Sequence, residues 1–306
     1  MNRRILVAAK IVVPLVVAFF IGRAIHGNWQ QVRAEPWRLD LVWLAGSFAL
    51  AAAWHLVRPL GWTLLIRGFG HAVPYWDIYR VYRKSELSRY VPGGIWQFAA
   101  RIYLTRRYGI GAAVCLAATL LDMTLAALAA LLPAAWLAGS ASTSLGQWQR
   151  ISLLAFPFLA CVFVIPPVFN AWARPVARLL GQPYQRLEVS VSRMLGIWAA
   201  YCAMWSLLAF AMASFARALL PGLDAQQLAF IAGCYAMAWA AALLTMISPA
   251  GMGIREGILG LLLGQTLAAG TAMTLAVAMR LWIVSMELAW LGVGYLARPG
   301  PRAAAD

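Results

Sequence analysis

Acidic side chains, histidine, cysteine and lysine are all scarce in this chain of 306 residues. Only 10 residues are Asp or Glu and 3 are His, and they form neither the acidic pair nor the His, Asp and Arg cluster that a membrane glycosyltransferase or phosphatase usually carries. The four cysteines stand singly in apolar segments, which is typical of core or lipid-facing thiols and not of a disulfide framework or metal site. The phosphate-loop pattern GxxxxGK is missing as well. We therefore expect neither an enzyme nor a cofactor.

Apolar residues dominate instead. Hydrophobic residues make up 63% of the chain and charged residues 11%, with a mean hydropathy of +0.75, whereas about a quarter of a soluble domain is charged. This composition indicates an integral membrane protein. The net charge of +15 comes almost entirely from arginine, since Lys10 and Lys84 are the only lysines. The basic residues lie in short segments between apolar runs, as the positive-inside rule requires, so we expect no nucleic-acid partner.

Seven apolar runs are long enough to cross a hydrocarbon core of about 30 Å as helices. They lie at about 5–22, 39–57, 111–138, 151–170, 194–216, 226–247 and 271–296. An eighth run at 254–267 is too short to cross comfortably, because a helix rises about 1.5 Å per residue. The sequence therefore predicts an all-α polytopic transmembrane bundle of seven or eight spans.

Basic residues are concentrated in the segments 58–107 and 174–193, which predicts that both are cytoplasmic and that the N-terminus lies inside. We expect the inner membrane of a bacterium, with the first apolar run retained as a signal anchor because no small-residue cleavage site follows it. Asp77 and Glu86 are interleaved with Arg80 and Arg83 at helical spacing. We interpret that pattern as a solvated or interfacial helix face.

Two segments combine proline and glycine with a following short apolar helix: VPGGIWQFAAR at 91–101 and SPAGMGIREG at 248–257. Paired interruptions of this kind indicate broken or re-entrant helices around a transporter-like site. They divide a single membrane domain, 1–306, into halves of about 1–138 and 151–297, with a re-entrant segment 88–108, a broken segment 248–267 and a short tail 298–306. Arg101 lies nine residues after its proline and Arg255 only six, so an internal repeat is a hypothesis.

The beginning of such a helix presents unpaired backbone N–H groups, which favour anions, phosphate included. Irregular backbone at membrane depth is tolerated where protein buries it or where it lines a watery cavity. A cavity that binds an anion is one interpretation of the two segments. Interfacial turns beside amphipathic helices are the alternative.

Three charged residues lie inside predicted spans: Asp122, and Arg280 and Glu287, which are seven residues apart and so share a helix face. A charge at the centre of a spanning helix costs about 3 kcal/mol on insertion scales, so these side chains should face the bundle interior. Either Arg280 neutralises Asp122 or Glu287 in a structural ion pair, or the residues contact substrate or gate the cavity.

Three features of the sequence carry a family resemblance: PGGIWQFAAR with its basic TRRYG turn, the span with Asp122, and SPAGMGIREG before the span with Arg280. Together they resemble the membrane domain of the lysylphosphatidylglycerol synthase family, also called flippase-like proteins. The resemblance covers about residues 5–296. It implies a polytopic bundle with re-entrant segments that moves aminoacylated phospholipid between leaflets, while stand-alone relatives are linked to polyprenyl-linked glycan or hopanoid pathways. Synthase activity is not carried over, because the soluble aminoacyl-transferase domain of the best understood members has no counterpart in the sequence.

The motif match implies a set of substrate-binding residues. The candidates are Pro92, Gly93, Gly94, Gln97, Arg101, Pro249, Gly251, Arg255, Glu256 and Gly257. Asp122, Arg280 and Glu287 join them as an intramembrane charge network. Trp96 and Gln97 depart from the family pattern, in which a smaller residue and an acid are common, and this points to a different substrate.

The leading hypothesis is a flippase-like transporter of a lipid with an anionic headgroup: a phospholipid, an aminoacyl-phospholipid or a polyprenyl-phosphate-linked intermediate. Arginine suits this role because its planar fork binds phosphate at two points. One alternative is a non-transporting scaffold for a lipid-modifying enzyme or a glycosyltransferase. Another is a transferase that uses Asp122 or Glu256 with an activated donor. A homo-oligomer is compatible with each of them.

Overall fold

The computed structural model describes residues 26–90, 96–139, 162–179, 184–245 and 253–296, with isolated positions 19, 22 and 23. Every regular element in these ranges is helical. The α-helices are α1 (Trp29–Ala34), α2 (Leu41–Gly68), α3 (Tyr75–Glu86), α4 (Trp96–Thr105), α5 (Ala112–Gly139), α6 (Pro166–Leu179), α7 (Val191–Leu219), α8 (Ala225–Thr245), α9 (Ile254–Leu263) and α10 (Ala269–Leu296). Short 3-10 turns lie at Leu87–Tyr90, Arg106–Tyr108 and Val162–Val164.

Four helices of the described part are long and apolar enough to cross a membrane: Leu41–Gly68, Ala112–Pro133, Val191–Leu219 and Ala269–Val293. They match four of the seven predicted runs. The predicted run at 226–247 forms α8, which is 21 residues long but is not among these four. The run at 5–22 and most of 151–170 lie outside the described residues.

Helix α2 is longer than the run at 39–57 predicts, because it continues through Pro59 to Gly68. The carboxylate of Asp40 caps its beginning by accepting the backbone N–H groups of Val42 and Trp43. Proline is tolerated inside a spanning helix where another group uses the carbonyl that its missing N–H leaves free. Here the freed carbonyl is that of His55, and the Arg83 guanidinium donates to its oxygen. The assignment of residues 58–67 to a basic loop was therefore wrong.

Helix α3 is buried, so the prediction of a solvated face was also wrong. Asp77, Arg80, Arg83 and Glu86 are all at most 9% exposed. The helix compensates its own charges, because Arg80 lies 2.9 Å from Asp77 and Arg83 lies 2.7 Å from Glu86, each pair three residues apart. Burial is tolerated when such groups are paired and hydrogen-bonded.

The two short helices α4 and α9 have ten residues each, which is about 15 Å and half the thickness of a hydrocarbon core. Arg101 is the sixth residue of α4, whereas Arg255 is the second residue of α9. Gly253, with a φ of 86°, begins α9 in a conformation that favours glycine. The segments 91–95 and 246–252, which contain both proline and glycine breaks, lie outside the described residues.

Seven of the described helices surround a central space: α2, α3, α5, α7, α8, α9 and α10. Helix α2 packs along α7, and α8 packs against α5, α7 and α9. Helix α9 lies against α10, which also contacts α3 and α2. The chain thereby brings the polar helix α3 and the short helix α9 to the middle of the bundle.

Candidate functional site

A partly open cavity lies where α2, α3, α5, α7, α8, α9 and α10 meet the turn Leu87–Tyr90. Its charged lining consists of Arg58, Arg89, Asp122, Arg255 and Glu287. Its aromatic lining consists of Trp54, Tyr82, Tyr201, Trp205, Tyr235 and Trp239. A concave site with aromatic walls and a few convergent polar groups is the usual form of a ligand-binding site.

Arg58 reaches the cavity from α2, and the groups around its guanidinium compensate its positive charge. Its Nε donates to the Tyr82 hydroxyl at 3.0 Å and lies 3.6 Å from a carboxylate oxygen of Glu86. The guanidinium carbon also lies 4.9 Å from the centre of the Trp54 ring, within cation–π distance. A charge within this apolar helix is therefore stabilised on three sides.

Glu86, at the end of α3, is shared by three arginines. Its carboxylate lies 2.7 Å from Arg83, 3.6 Å from Arg58 and 3.9 Å from Arg89. Burial alone would raise the pKa of Glu86, but the three positive charges outweigh it and lower the pKa from 4.5 to about 2. The carboxylate therefore stays ionised at neutral pH and fixes the arginines around it.

Arg89 connects this cluster to the last helix. It forms a salt bridge with Glu287 of α10, and both residues line the cavity. The salt bridge therefore holds the turn Leu87–Tyr90, which directly precedes the PGG segment in sequence, against α10. The Glu287 carboxylate thus faces the cavity with an arginine already attached.

Arg101 lies behind the cavity wall and is not part of its lining. Only 1% of its surface is exposed, and its Nη1 lies 3.2 Å from the Asp122 carboxylate. Its guanidinium carbon lies 4.1 Å from the centre of the Tyr82 ring. Asp122, which does line the cavity, also accepts hydrogen bonds from the hydroxyls of Tyr201 and Tyr82. Arg101 and Asp122 therefore form a fully compensated buried pair.

Arg255 differs from the other arginines of the lining. It is 7% exposed, and among the described residues no carboxylate lies within 4.0 Å of it. Its Nη1 donates only a long hydrogen bond, 3.5 Å, to the Tyr235 hydroxyl. The next residue, Glu256, is occupied elsewhere, because it lies 3.1 Å from Arg280 and accepts the N–H of Gly253. The protein thus presents a positive charge to the cavity without a described countercharge.

The ion pairs around the cavity leave an excess of positive charge. The charged lining residues and the network of ion pairs connected to them comprise five arginines and three carboxylates, with Arg83 included through its pair with Glu86: Arg58, Arg83, Arg89, Arg101, Arg255, Glu86, Asp122 and Glu287. Within the part of the chain that the structure describes, two positive charges therefore remain unmatched. A site with this balance attracts anions.

The structure brings together part of the predicted site. Asp122, Arg255 and Glu287 line the cavity. Arg101, Glu256 and Arg280 lie in ion pairs behind it. Gln97 and Gly257 are half-buried and are not among the residues that line it. Pro92, Gly93, Gly94, Pro249 and Gly251 lie outside the described residues.

The hypothesis that Arg280 neutralises Asp122 or Glu287 was wrong. Arg280 pairs with Glu256, whereas Asp122 pairs with Arg101 and Glu287 with Arg89. The physical reason is that the short helix α9 places Glu256 beside α10. The two other carboxylates meet arginines from outside the predicted spans: Glu287 meets Arg89 from the turn after α3, and Asp122 meets Arg101 from α4.

Among the charged residues and tyrosines of the lining, sequence reasoning missed five: Arg58, Tyr82, Arg89, Tyr201 and Tyr235. Tyr82 and Arg89 are seven residues apart and carried a usable signal, because residues at that spacing share a helix face. Arg58 was missed because the adjacent Pro59 suggested that the helix ends there. Tyr201 and Tyr235 lie within apolar spans, where nothing separates them from tyrosines that anchor a membrane interface.

The described ranges contain no group of three His, Cys, Asp or Glu side chains that could hold a metal ion. The cavity's chemistry there rests on guanidinium, hydroxyl and aromatic groups. Such groups bind and orient an anion without a metal.

Comparison with protein families gives one match. The family model described as the lysylphosphatidylglycerol synthase TM region matches residues 6–289, which is nearly the whole chain. Comparisons with curated proteins and with solved structures give no match.

Proposed function

The chain belongs to the lysylphosphatidylglycerol synthase TM-region family, and from this membership we propose that it is a flippase-like transporter that moves a lipid with an anionic headgroup between leaflets. The observation that carries the proposal is Arg255, a buried arginine that faces the central cavity without a described carboxylate partner. Family membership supports the class of protein, and the charged lining of the cavity supports the preference for an anionic headgroup.

Burial of the Arg255 side chain at this position has a free-energy cost. Charged side chains within the membrane region are costly, and they normally pair with another side chain or mark a substrate pathway. A phosphate group would supply the missing countercharge, and the guanidinium fork can hold two of its oxygens at once. We assign Arg255 the role of binding the headgroup phosphate.

The tyrosines of the lining would hold the rest of the headgroup. Tyr235 already contacts Arg255, and Tyr201 and Tyr82 present hydroxyls next to Asp122. Hydroxyl groups suit a polar headgroup because each one both donates and accepts hydrogen bonds. Large apolar side chains such as Phe210 and Leu281 are exposed on α7 and α10, so the acyl chains can stay in the bilayer while the headgroup occupies the cavity.

The charge network would control access. In the proposed cycle, the pairs Arg89–Glu287 and Arg280–Glu256 close one side of the cavity and exchange partners when the headgroup passes. Each pair joins a short or irregular segment to α10. Such a pair can switch between two arrangements at modest cost because its charges remain partly compensated in both.

The test uses the purified chain in liposomes that contain a trace of fluorescently labelled phosphatidylglycerol, with a membrane-impermeant quencher added outside. We expect the quenched fraction to rise from the outer-leaflet share towards completion. Arg255→Gln should slow this by about tenfold, the loss expected for one charge-assisted hydrogen bond. The control is Arg106→Gln, because Arg106 is exposed and outside the cavity, and it should leave the rate unchanged.

Absence of translocation for every labelled phospholipid and prenyl phosphate, together with absence of binding, would refute the transporter. The scaffold hypothesis would then remain. It predicts that Arg255→Gln leaves the physiological role intact, whereas changes at exposed positions of 76–89, such as Trp76, abolish co-purification of a partner enzyme.

A further inference from the structure

The carboxylates of the cavity are not available to a cationic headgroup. Asp122 is held by Arg101 at 3.2 Å and by the hydroxyl of Tyr201. Glu287 is held by Arg89. An amino group that entered the cavity would have to displace an arginine from either carboxylate, and it would leave that arginine buried without its partner. Breaking a buried pair in this way is strongly unfavourable.

Aromatic rings could attract a cation instead, but arginines of the protein already lie over several of them. The guanidinium carbon of Arg58 lies 4.9 Å from the Trp54 ring centre, and that of Arg255 lies 5.6 Å from the Tyr235 ring centre. Trp205 and Trp239 pack edge to face against each other at 4.9 Å. An amino group would therefore meet a fixed guanidinium at these faces, and like charges repel in a site of low dielectric.

The excess of arginines over carboxylates also disfavours a cationic headgroup. Arg255 lacks a described carboxylate partner, and the described cluster carries two more arginines than carboxylates. A headgroup with net negative charge reduces this imbalance, whereas a headgroup with net positive charge increases it. The electrostatic preference is set by charged groups on α2, α3, α4, α5, α9, α10 and the turn Leu87–Tyr90, whose net charge stays the same whichever partners they hold.

We propose that the cavity selects headgroups with a net negative charge and rejects headgroups with a net positive charge, including the aminoacylated headgroup in the family's name. This inference rests on the proposed transport function and narrows its substrate class to anionic lipids whose phosphate is not offset by amino groups. The lipid's phosphate contacts Arg255, and its uncharged remainder contacts the tyrosine hydroxyls.

The experiment compares three labelled lipids with identical acyl chains in the liposome assay: phosphatidylglycerol, which is anionic, phosphatidylethanolamine, which is zwitterionic, and lysylphosphatidylglycerol, which is cationic. We expect translocation rates to fall in that order, with phosphatidylglycerol about tenfold faster than the cationic lipid. Equal rates for the first and last lipids, or a faster cationic lipid, would overturn the inference while leaving the transport function in place.

A second readout separates the inference from the transport function. Native mass spectrometry of the full chain with equimolar phosphatidylglycerol and lysylphosphatidylglycerol measures which lipid is bound. If no lipid is translocated, the transport function fails. Preferential binding of phosphatidylglycerol that Arg255→Gln abolishes would still support the selectivity, and preferential binding of the cationic lipid would refute it.

A matched variant tests the cause of the selectivity. Arg89→Gln removes the arginine that holds Glu287, so a carboxylate that faces the cavity loses its strongest cation. We expect the rate ratio of cationic to anionic lipid to rise by about tenfold, whereas Arg89→Lys, which keeps the charge, and Arg106→Gln should leave it unchanged. A ratio that does not move in folded Arg89→Gln would show that these fixed charges do not select the headgroup.

Discussion

Helices α4 and α9 are equally short, follow similar Pro-Gly segments and each carry an arginine, yet the two arginines lie in opposite environments. Arg101 of α4 is fully buried against Asp122 and the Tyr82 ring. Arg255 of α9 faces the cavity, and within the described part of the chain its guanidinium hydrogen-bonds the Tyr235 hydroxyl and has no carboxylate partner. Arg101, with its carboxylate partner, holds helices together, whereas the proposed function assigns Arg255, which has no described carboxylate partner, to a ligand.

The largest expected effect is on the Arg101 side. Arg101→Gln leaves the Asp122 carboxylate buried without its arginine, which should lower the free energy of unfolding by about 3–5 kcal/mol. Thermal unfolding in detergent measures this as a lower midpoint. The double variant Arg101→Gln with Asp122→Asn should recover much of the loss, because no charge then remains unpaired. Additive losses in the double variant would contradict the pairing.

A smaller effect is expected where α2 meets α7. A Cβ at Gly61 would collide with the ring of Tyr201, whose hydroxyl donates to Asp122. Gly61→Ala should therefore cost about 1–3 kcal/mol through overpacking and loosen the Asp122 network. Gly46→Ala on the same helix is the control, because nothing lies within 4 Å of its added Cβ. Similar unfolding midpoints for the two variants would show that this close packing is unimportant.

For Arg255, substitution should change the unfolding midpoint in the opposite direction, if at all. Removal of a buried charge that has no described carboxylate partner relieves a desolvation cost, so Arg255→Gln should leave the unfolding midpoint unchanged or raise it slightly. The same variant should slow translocation by about tenfold and weaken phosphatidylglycerol binding. A large drop in midpoint, comparable to that of Arg101→Gln, would mean that Arg255 is structural and would remove the contrast between the two helices.

The last expected effect concerns the dependence of stability on pH. The folded pKa of Glu86 is about 2, below its ordinary 4.5, so the stability that Glu86 contributes is fully present above about pH 4.5 and is lost as the pH falls towards 2. Unfolding midpoints between pH 7 and pH 3 should fall more steeply for the natural chain than for Glu86→Gln. Parallel curves would show that the three neighbouring arginines do not hold this carboxylate ionised.

Sequence reasoning found the helical class, four spanning helices and three lining residues, because long apolar runs and isolated charges within them have few interpretations. It failed for the α2 to α4 region. Arg58 and Pro59 suggested the end of a helix, and the charges of α3 suggested a surface. Their burial depends on ion pairs between helices, such as Arg89 with Glu287, and local spacing does not encode such pairs.

The choice of partner was the second failure, and it has the same cause. Arg280 lies seven residues from Glu287, which made pairing within that region the natural expectation. The short helix α9 brings Glu256 to Arg280 instead, while Arg89 reaches Glu287 from a distant segment. Contacts between helices far apart in sequence depend on the three-dimensional packing, which a single sequence does not specify.

The most direct measurement is a structure of the full chain in a lipid nanodisc that contains phosphatidylglycerol. We predict a headgroup in the central cavity with its phosphate oxygens about 3 Å from the Arg255 guanidinium nitrogens, and with Arg101 still paired to Asp122. A headgroup bound to Arg101, or a lipid-saturated structure in which Arg255 has acquired a carboxylate partner and the cavity holds no phosphate, would contradict the account.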